Sequence, residues 1–270
     1  MTACSSFGRL GALGIVAAAM ASRERVLIIG ATSAIAARVA QLYAARGARL
    51  HLLGRSAEKM RALENAVGGA GAQVTSELAD FAELGNAQAL IERAVQALGG
   101  LDVALIAHGT LGDQLATERT FTEAEAIFRD NLLSAVAFLV PLANLLESQR
   151  SGTLGVITSV AGDRGRPRNY TYGAAKGALN IYLQGVRSRL YRAGARVVTL
   201  KLGPVDTPMT TTHKKNALFA QPAQVAESIV AALDAGVSET YVPSFWSAIM
   251  PVVKHAPERV FQLLPFLSGR

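Results

Sequence analysis

Tyr172 and Lys176 stand four residues apart, and Ser159 precedes them in the same stretch, S-V-A-G-D-R-G-R-P-R-N-Y-T-Y-G-A-A-K. If the chain is helical from Gly173 onward, as Ala174, Ala175, Ala178 and Leu179 suggest, the phenol and the ammonium project from one helix face. A phenol titrates near ~10, so it exchanges a proton near neutral pH only if a neighbouring cation stabilises its anion. Lys176 is placed to be that cation. Ser159 follows the apolar run Leu154 to Ile157, which reads as a strand, and open α/β sheets gather their ligands at strand C-terminal ends, where a hydroxyl can hold a carbonyl. A Tyr-x-x-x-Lys spacing by itself is more often a solvated helix face, so its surroundings must carry the argument.

Those surroundings alternate between strand and helix. Arg25 to Ile29 reads as a buried strand, and it runs into Gly30-Ala31-Thr32-Ser33-Ala34-Ile35-Ala36 and a helical stretch to Arg46. Strand, tight turn and helix are the setting of a phosphate-cradling loop, in which backbone amides and the helix N-terminus face an anion. Of the usual glycines Gly30 remains, with Ala34 and Ala36 at the other positions. Ala48 to Leu53 is a second strand followed by Arg55, where an acid would bind the ribose hydroxyl of NAD and an arginine accommodates the extra phosphate of NADP. Arg55 therefore favours NADP(H), with NAD(H) left open.

A strand near Ala72 to Leu78 leads to Asp80 and Phe81, placed for an adenine edge, and a helix follows from about Glu83 to Leu98. Leu101 to Ala107 is the fourth strand, ending at His108 and Gly109. Thr120 to Gln149 reads as one long helix with Thr120 and Glu123 in capping-box spacing; Asn131 inside it is either exposed or has a task. After the helix that carries Tyr172, to about Arg192, come a strand over Ala195 to Leu202, the turn Gly203 to Thr207, a helix near Gln224 to Leu233 and a short strand at Glu239 to Val242. The fold class is α/β: a single-domain, Rossmann-like doubly wound parallel sheet of about seven strands with helices on both faces.

Composition sets limits on function. Of 270 residues 50% are hydrophobic and 17% charged, which suits a sheet buried on both faces and excludes a disordered chain. The lone Cys4 excludes an internal disulfide, and the four histidines show no ligand spacing, so no metal is expected. A formal charge of +7 is compatible with a phosphorylated ligand or an anionic membrane surface; no basic and aromatic interleaving points to nucleic acid. Residues 1–22 have the layout of a weak secretory signal, but an N-terminal extension ahead of the domain (23–270) is the favoured reading. The apolar tail, 243–270, is cut by Pro251, Lys254 and Pro257 and cannot span a bilayer. Packing against the sheet edge is favoured over capping a substrate channel or resting on a membrane.

Together these pieces resemble the short-chain dehydrogenase/reductase family, from roughly Arg25 to Val242: the turn at Gly30, Asp80, Asn131, Ser159, the Tyr172/Lys176 pair and the turn from Gly203 to Thr207. The resemblance implies hydride transfer between a nicotinamide and a carbonyl or alcohol. It implies Tyr172 as general acid in reduction, Lys176 on the nicotinamide ribose, Ser159 orienting the carbonyl and Asn131 anchoring a water relay. Gly30, Thr32, Ser33, Ala34, Ile35, Arg55, Asp80, Phe81, Gly109, Gly203, Val205 and Thr207 would line the cofactor. The chain departs from the family at Ala34 and Ala36 and at Ile106-Ala107-His108-Gly109, where Asn-Asn-Ala-Gly is usual. Stretches 107–113, 161–170 and 254–265 are similar to family members that reduce a keto-sugar on a polyprenyl phosphate.

That likeness implies a lipid-linked substrate bound by Arg164, Arg166 and Arg168, tethered beside the reaction centre where guanidinium forks suit a phosphate. His213, Lys214 and Lys215 would add charge on the segment after Thr207. It further implies a cytoplasmic enzyme, with contact at the inner face of the membrane left open, pairing as a homo-oligomer through the helix of Tyr172, and an oxidase as a further partner. The alternatives are a reductase of retinoid-like or acyl carbonyls and a non-enzymatic cofactor-sensing subunit.

Overall fold

The computed structural model describes residues 24–69, 72–211 and 215–263. The expectations for residues 1–22, His213 and Lys214 lie outside them. Seven strands, β1 (Arg25–Ile29), β2 (Arg49–Gly54), β3 (Gln73–Leu78), β4 (Val103–Ile106), β5 (Thr153–Ser159), β6 (Arg196–Leu202) and β7 (Glu239–Val242), form one sheet in the order β3-β2-β1-β4-β5-β6-β7, with every pair parallel. Side-chain alternation sends Val26 and Ile28 to one face and Leu27 and Ile29 to the other, and all four are buried.

One face is covered by α1 (Ala34–Ala45), α2 (Ala57–Gly68) and α8 (Pro222–Ala235), through residues such as Val39, Tyr43, Met60 and Ile229. The other is covered by α3 (Ala87–Leu98), α6 (Ser134–Gln149) and α7 (Tyr170–Tyr191), through Leu90, Phe138, Leu142, Leu179 and Leu183. By length and hydropathy the run Phe121–Gln149 could cross a membrane, but half of its apolar window is buried, packed against α3 and α7 as a core helix is.

That run differs from the single helix expected. It divides into α5 (Phe121–Phe128), a π-helical turn (Arg129–Leu133) and α6, and a short α4 (Gln114–Arg119) precedes it. Thr120 caps α5 as its spacing predicts, accepting from the Glu123 amide. The break centres on Asn131, whose Nδ2 donates to the Ile127 carbonyl one turn back (3.0 Å) and so competes with the helix's own ladder. The tail folds as α9 (Trp246–His255) and α10 (Glu258–Leu263), a satellite core in which Trp246, Met250, Val253 and Phe261 pack on Val160 beside β7.

Crossovers run in opposite directions from β1 and β4, so the crevice of the sheet opens at their C-terminal ends. There Gly30 has φ +83°, and a Cβ on it would lie 2.7–2.9 Å from the backbone and Cβ of His108. Gly30→Ala combines left-handed strain with a backbone clash and is expected to cost about 2 kcal/mol or more. A lowered midpoint in urea unfolding at unchanged slope is the readout.

Candidate active site

Ser159 ends β5, Tyr172 and Lys176 lie in the first turns of α7, and Asn131 lies in the π-helical turn; the fold brings all four to the end of the sheet. The Ser159 hydroxyl faces the Tyr172 phenol, where it lowers the phenol's pKa, and accepts from the Ala161 amide at 3.1 Å. Lys176 is buried, donates from Nζ to the Ile157 carbonyl (3.2 Å) and sits 5.9 Å from the centroid of the Tyr172 ring. Asn131, buried as well, pairs with both backbone groups of Thr110: Nδ2 donates to its carbonyl (2.8 Å) and Oδ1 accepts from its amide (3.1 Å). That clamp holds Gly109 so close that a Cβ there would lie 2.6 Å from Asn131 Oδ1 and 3.3 Å from Lys176 Nζ. Asn131 thus has a task, and its task is to fix the loop beside the lysine.

The electrostatics differ from the sequence expectation in one respect. Burial pushes the Tyr172 phenol up to about 12, with Ser159 pulling the other way, and burial pushes the Lys176 ammonium down to about 8. Desolvation dominates, so the free site holds a protonated tyrosine. A protonated phenol is a proton donor, and below pH ~8 a cation stands by to stabilise the anion it leaves.

A second cluster occupies the crevice between β1 and β4, where Arg55, Phe81, Ala82, His108, Gly109, Asp130 and Ser134 line a narrow cleft. Arg55 is exposed at its mouth; Phe81 is buried, with the His108 ring 4.7 Å away between centroids and Phe138 at 5.8 Å. Asp80 is exposed and turns back to accept from the Ala82 amide. Thr32, Ser33, Ala34 and Ile35 are half-buried around the turn, with Ser33 Oγ capping α1 at the Ala36 amide. On the far side, Gly203 donates from its amide to Val242, and Val205 and Thr207 are tied together through the Thr210 hydroxyl.

His108 was visible in the sequence only as a departure from the family's pattern, and its neighbours give it a role. Ser134 Oγ donates to the Asp130 carbonyl (2.8 Å), so toward His108 Nε2, also at 2.8 Å, it can only accept. The ring is therefore protonated at Nε2, leaving Nδ1 a buried acceptor without a partner. Burial, reinforced by the Lys176 and Arg55 cations, pushes its pKa down to about 3.

The three arginines do not act together. Arg164 donates to the Val253 carbonyl (2.9 Å) and to Ala256, pairs with Glu258 at 2.8 Å and lies 3.9 Å over the Phe261 ring, so its fork caps the C-terminal helices instead of facing a substrate. Arg168 is exposed, and Arg166 is half-buried against α9. Lys215 pairs with Asp206.

A family model described as short chain dehydrogenase matches residues 24–218. An uncharacterized oxidoreductase of Streptomyces coelicolor is 32% identical over 240 residues, covering 88% of this chain and 95% of that one. Another, of Mycobacterium tuberculosis, is 30% identical over 241 residues, covering 89% and 96%. Among solved structures, levodione reductase superposes with a TM-score of 0.76 at 24% identity (83% of this chain, 98% of that one). Actinorhodin polyketide ketoreductase, solved with NADPH, does so at 0.73 and 22% (81% and 95%). At these identities the structural likeness is one of fold.

The His108 assignment has two expected readouts. Nitrogen NMR should find the neutral ring protonated at Nε2 between about pH 5 and 8. An unfolded imidazole takes its proton near ~6.5 while the folded one resists to about 3, so stability should fall as pH drops through that window, less steeply in His108→Asn.

Proposed function

The chain belongs to the short chain dehydrogenase family, and from that premise we propose that it reduces a ketone to a secondary alcohol with a nicotinamide dinucleotide, NADP(H) before NAD(H). The observation that carries this reading is the meeting of Ser159, Tyr172 and Lys176 at the sheet's end, with Asn131 and Gly109 packed behind the lysine. The cleft suits the cofactor: Gly30 and Gly109 keep side chains out of it, Arg55 lines its mouth and would meet a ribose phosphate, and His108 Nδ1 is an acceptor in want of a donor. The dinucleotide, when bound, supplies the hydride.

The chain's residues do the rest. Ser159 Oγ and the Tyr172 hydroxyl both hold the carbonyl oxygen, and Tyr172 passes its proton to that oxygen as the carbon is reduced, leaving an alcohol and a phenolate. The Lys176 ammonium, held by the Ile157 carbonyl, stabilises the phenolate, and Asn131 keeps the loop at Thr110 from moving the lysine.

For the substrate we favour a keto-sugar on a polyprenyl phosphate, on the likeness of stretches 107–113, 161–170 and 254–265 to decaprenylphosphoryl-2-keto-ribose reductases. An oxidase supplying the ketone would then be a partner. We place the enzyme in the cytoplasm as a homo-oligomer, touching the membrane through α9 and α10, where exposed Val252, Val260 and Leu263 flank Lys254 and Arg259. A neutral hydrophobic carbonyl is the second reading, favoured by the apolar cluster of Val160, Trp246 and Met250 beside Ser159. The intact catalytic set speaks against a non-enzymatic subunit.

Tyr172→Phe should lower kcat for ketone reduction by about 100-fold or more while NADPH still binds. Full activity in that variant overturns the mechanism. With wild type, kcat/KM for reduction should be level at neutral pH and fall above pH ~8, as Lys176 loses the charge that burial has already weakened. Arg55→Ala should raise the Kd for NADPH by about tenfold and leave NADH nearly unchanged; equal effects on both would remove the phosphate assignment.

A further inference from the structure

Arg166 is half-buried, yet among the described residues no carboxylate pairs with it. Among the described residues the guanidinium's one hydrogen bond runs from Nη2 to Met250 Sδ at 3.7 Å, a weak acceptor, and Nε is buried without a partner. Asp163, the carboxylate that acts on it, and the acids of the neighbouring clusters are spent elsewhere. Asp163 accepts from Lys201 Nζ (2.8 Å) and the Tyr241 hydroxyl (2.7 Å), Glu239 pairs with Lys201, and Glu258 pairs with Arg164. Burial lowers the pKa of Arg166, with Asp163 only partly opposing it. A guanidinium drawn from water with no counter-charge is costly to hold and is explained by a ligand that supplies one.

A second orphan donor lies on α9, beside Met250. Trp246, one turn before Met250 on α9, has its indole Nε1 buried with no acceptor among the described residues. The indole packs so tightly on Gly203 that no Cβ would fit there. Gly203 follows Leu202, the register partner of Ser159, and Val160, next after Ser159, packs in one cluster with Trp246 and Met250. Both donors therefore border the residues that hold the carbonyl.

We propose that Arg166 and Trp246 form an oxyanion subsite, which binds a phosphate or carboxylate carried by an otherwise apolar substrate whose carbonyl sits at Ser159 and Tyr172. This deepens the ketoreductase reading and rests on it for the place of the carbonyl. Arg164, consumed by the C-terminal helices, takes no part; the guanidinium fork of Arg166 donates to the anion and the indole N–H adds a neutral donor.

Trp246 is the chain's only tryptophan, so its fluorescence reads the subsite directly. The full chain with NADP+ is titrated with octyl phosphate, octanoate and octanol. At least one of the two anions should give a saturable change with a Kd about tenfold or more below that of octanol, and whichever binds better identifies the group. Arg166→Gln should erase that preference, Arg166→Lys should keep part of it, and Arg166→Gln should melt no lower than wild type, because it removes an uncompensated charge. Equal binding of octanol and both anions, an unchanged anion Kd in Arg166→Gln, or a lower melting temperature in Arg166→Gln that marks the arginine as structural, each overturns the subsite. Turnover is not read in these titrations, so Tyr172→Phe, which tests the reduction, should leave octyl phosphate binding in place.

Discussion

A parallel sheet covered on both faces leaves only its strand ends to meet a ligand, and that constraint organises the molecule. Every strand side chain from Val26 to Ile29 is buried, so a polar group there would be stranded; polar chemistry is pushed to the C-terminal edge where β1 and β4 part. Gly30 and Gly109 sit at that edge without side chains because the space is taken, by His108 in one case and by Asn131 and Lys176 in the other. The crevice is as narrow as it is because both strand ends must turn within a few ångströms of each other.

Burial then sets the protonation states. Tyr172 and Lys176 lie deep enough that desolvation, which disfavours charge on either, dominates: the phenol rises to about 12 and the ammonium falls to about 8. The same effect keeps His108 neutral, and its tautomer is chosen by a chain of hydrogen bonds through Ser134 to the Asp130 carbonyl. The resting site is thus one proton donor, one weakened cation and one fixed acceptor.

Behind β5 a buried charge cluster steadies the loop from Ser159 to Tyr172. Lys201 on β6 bridges Asp163 of that loop to Glu239 of β7, and the Tyr241 hydroxyl donates to Asp163. Burial opposes the Lys201 charge, yet its two carboxylate partners outweigh it and hold the ammonium above its ordinary value. Removing one member of such a pair typically costs about 3–5 kcal/mol, because the partner is left charged and alone. Asp163 is satisfied by this cluster, and Arg166, three residues on, is left without it.

Sequence by itself determined the strands, the larger helices packed on them and the Tyr172/Lys176 spacing, because those depend on neighbours within a turn or two. Runs such as R-V-L-I-I can only be buried strands, and Tyr172 and Lys176 share a face by helix geometry alone. Partnerships between distant residues were beyond it. The break at Asn131 depends on Thr110, the capture of Arg164 on carbonyls about ninety positions away, and the chemical state of His108 on Ser134, and no local periodicity encodes those meetings. The pKa of Tyr172 was legible only in part, since spacing places the cation beside it but depth of burial, which only the packed fold sets, decides whether attraction or desolvation prevails.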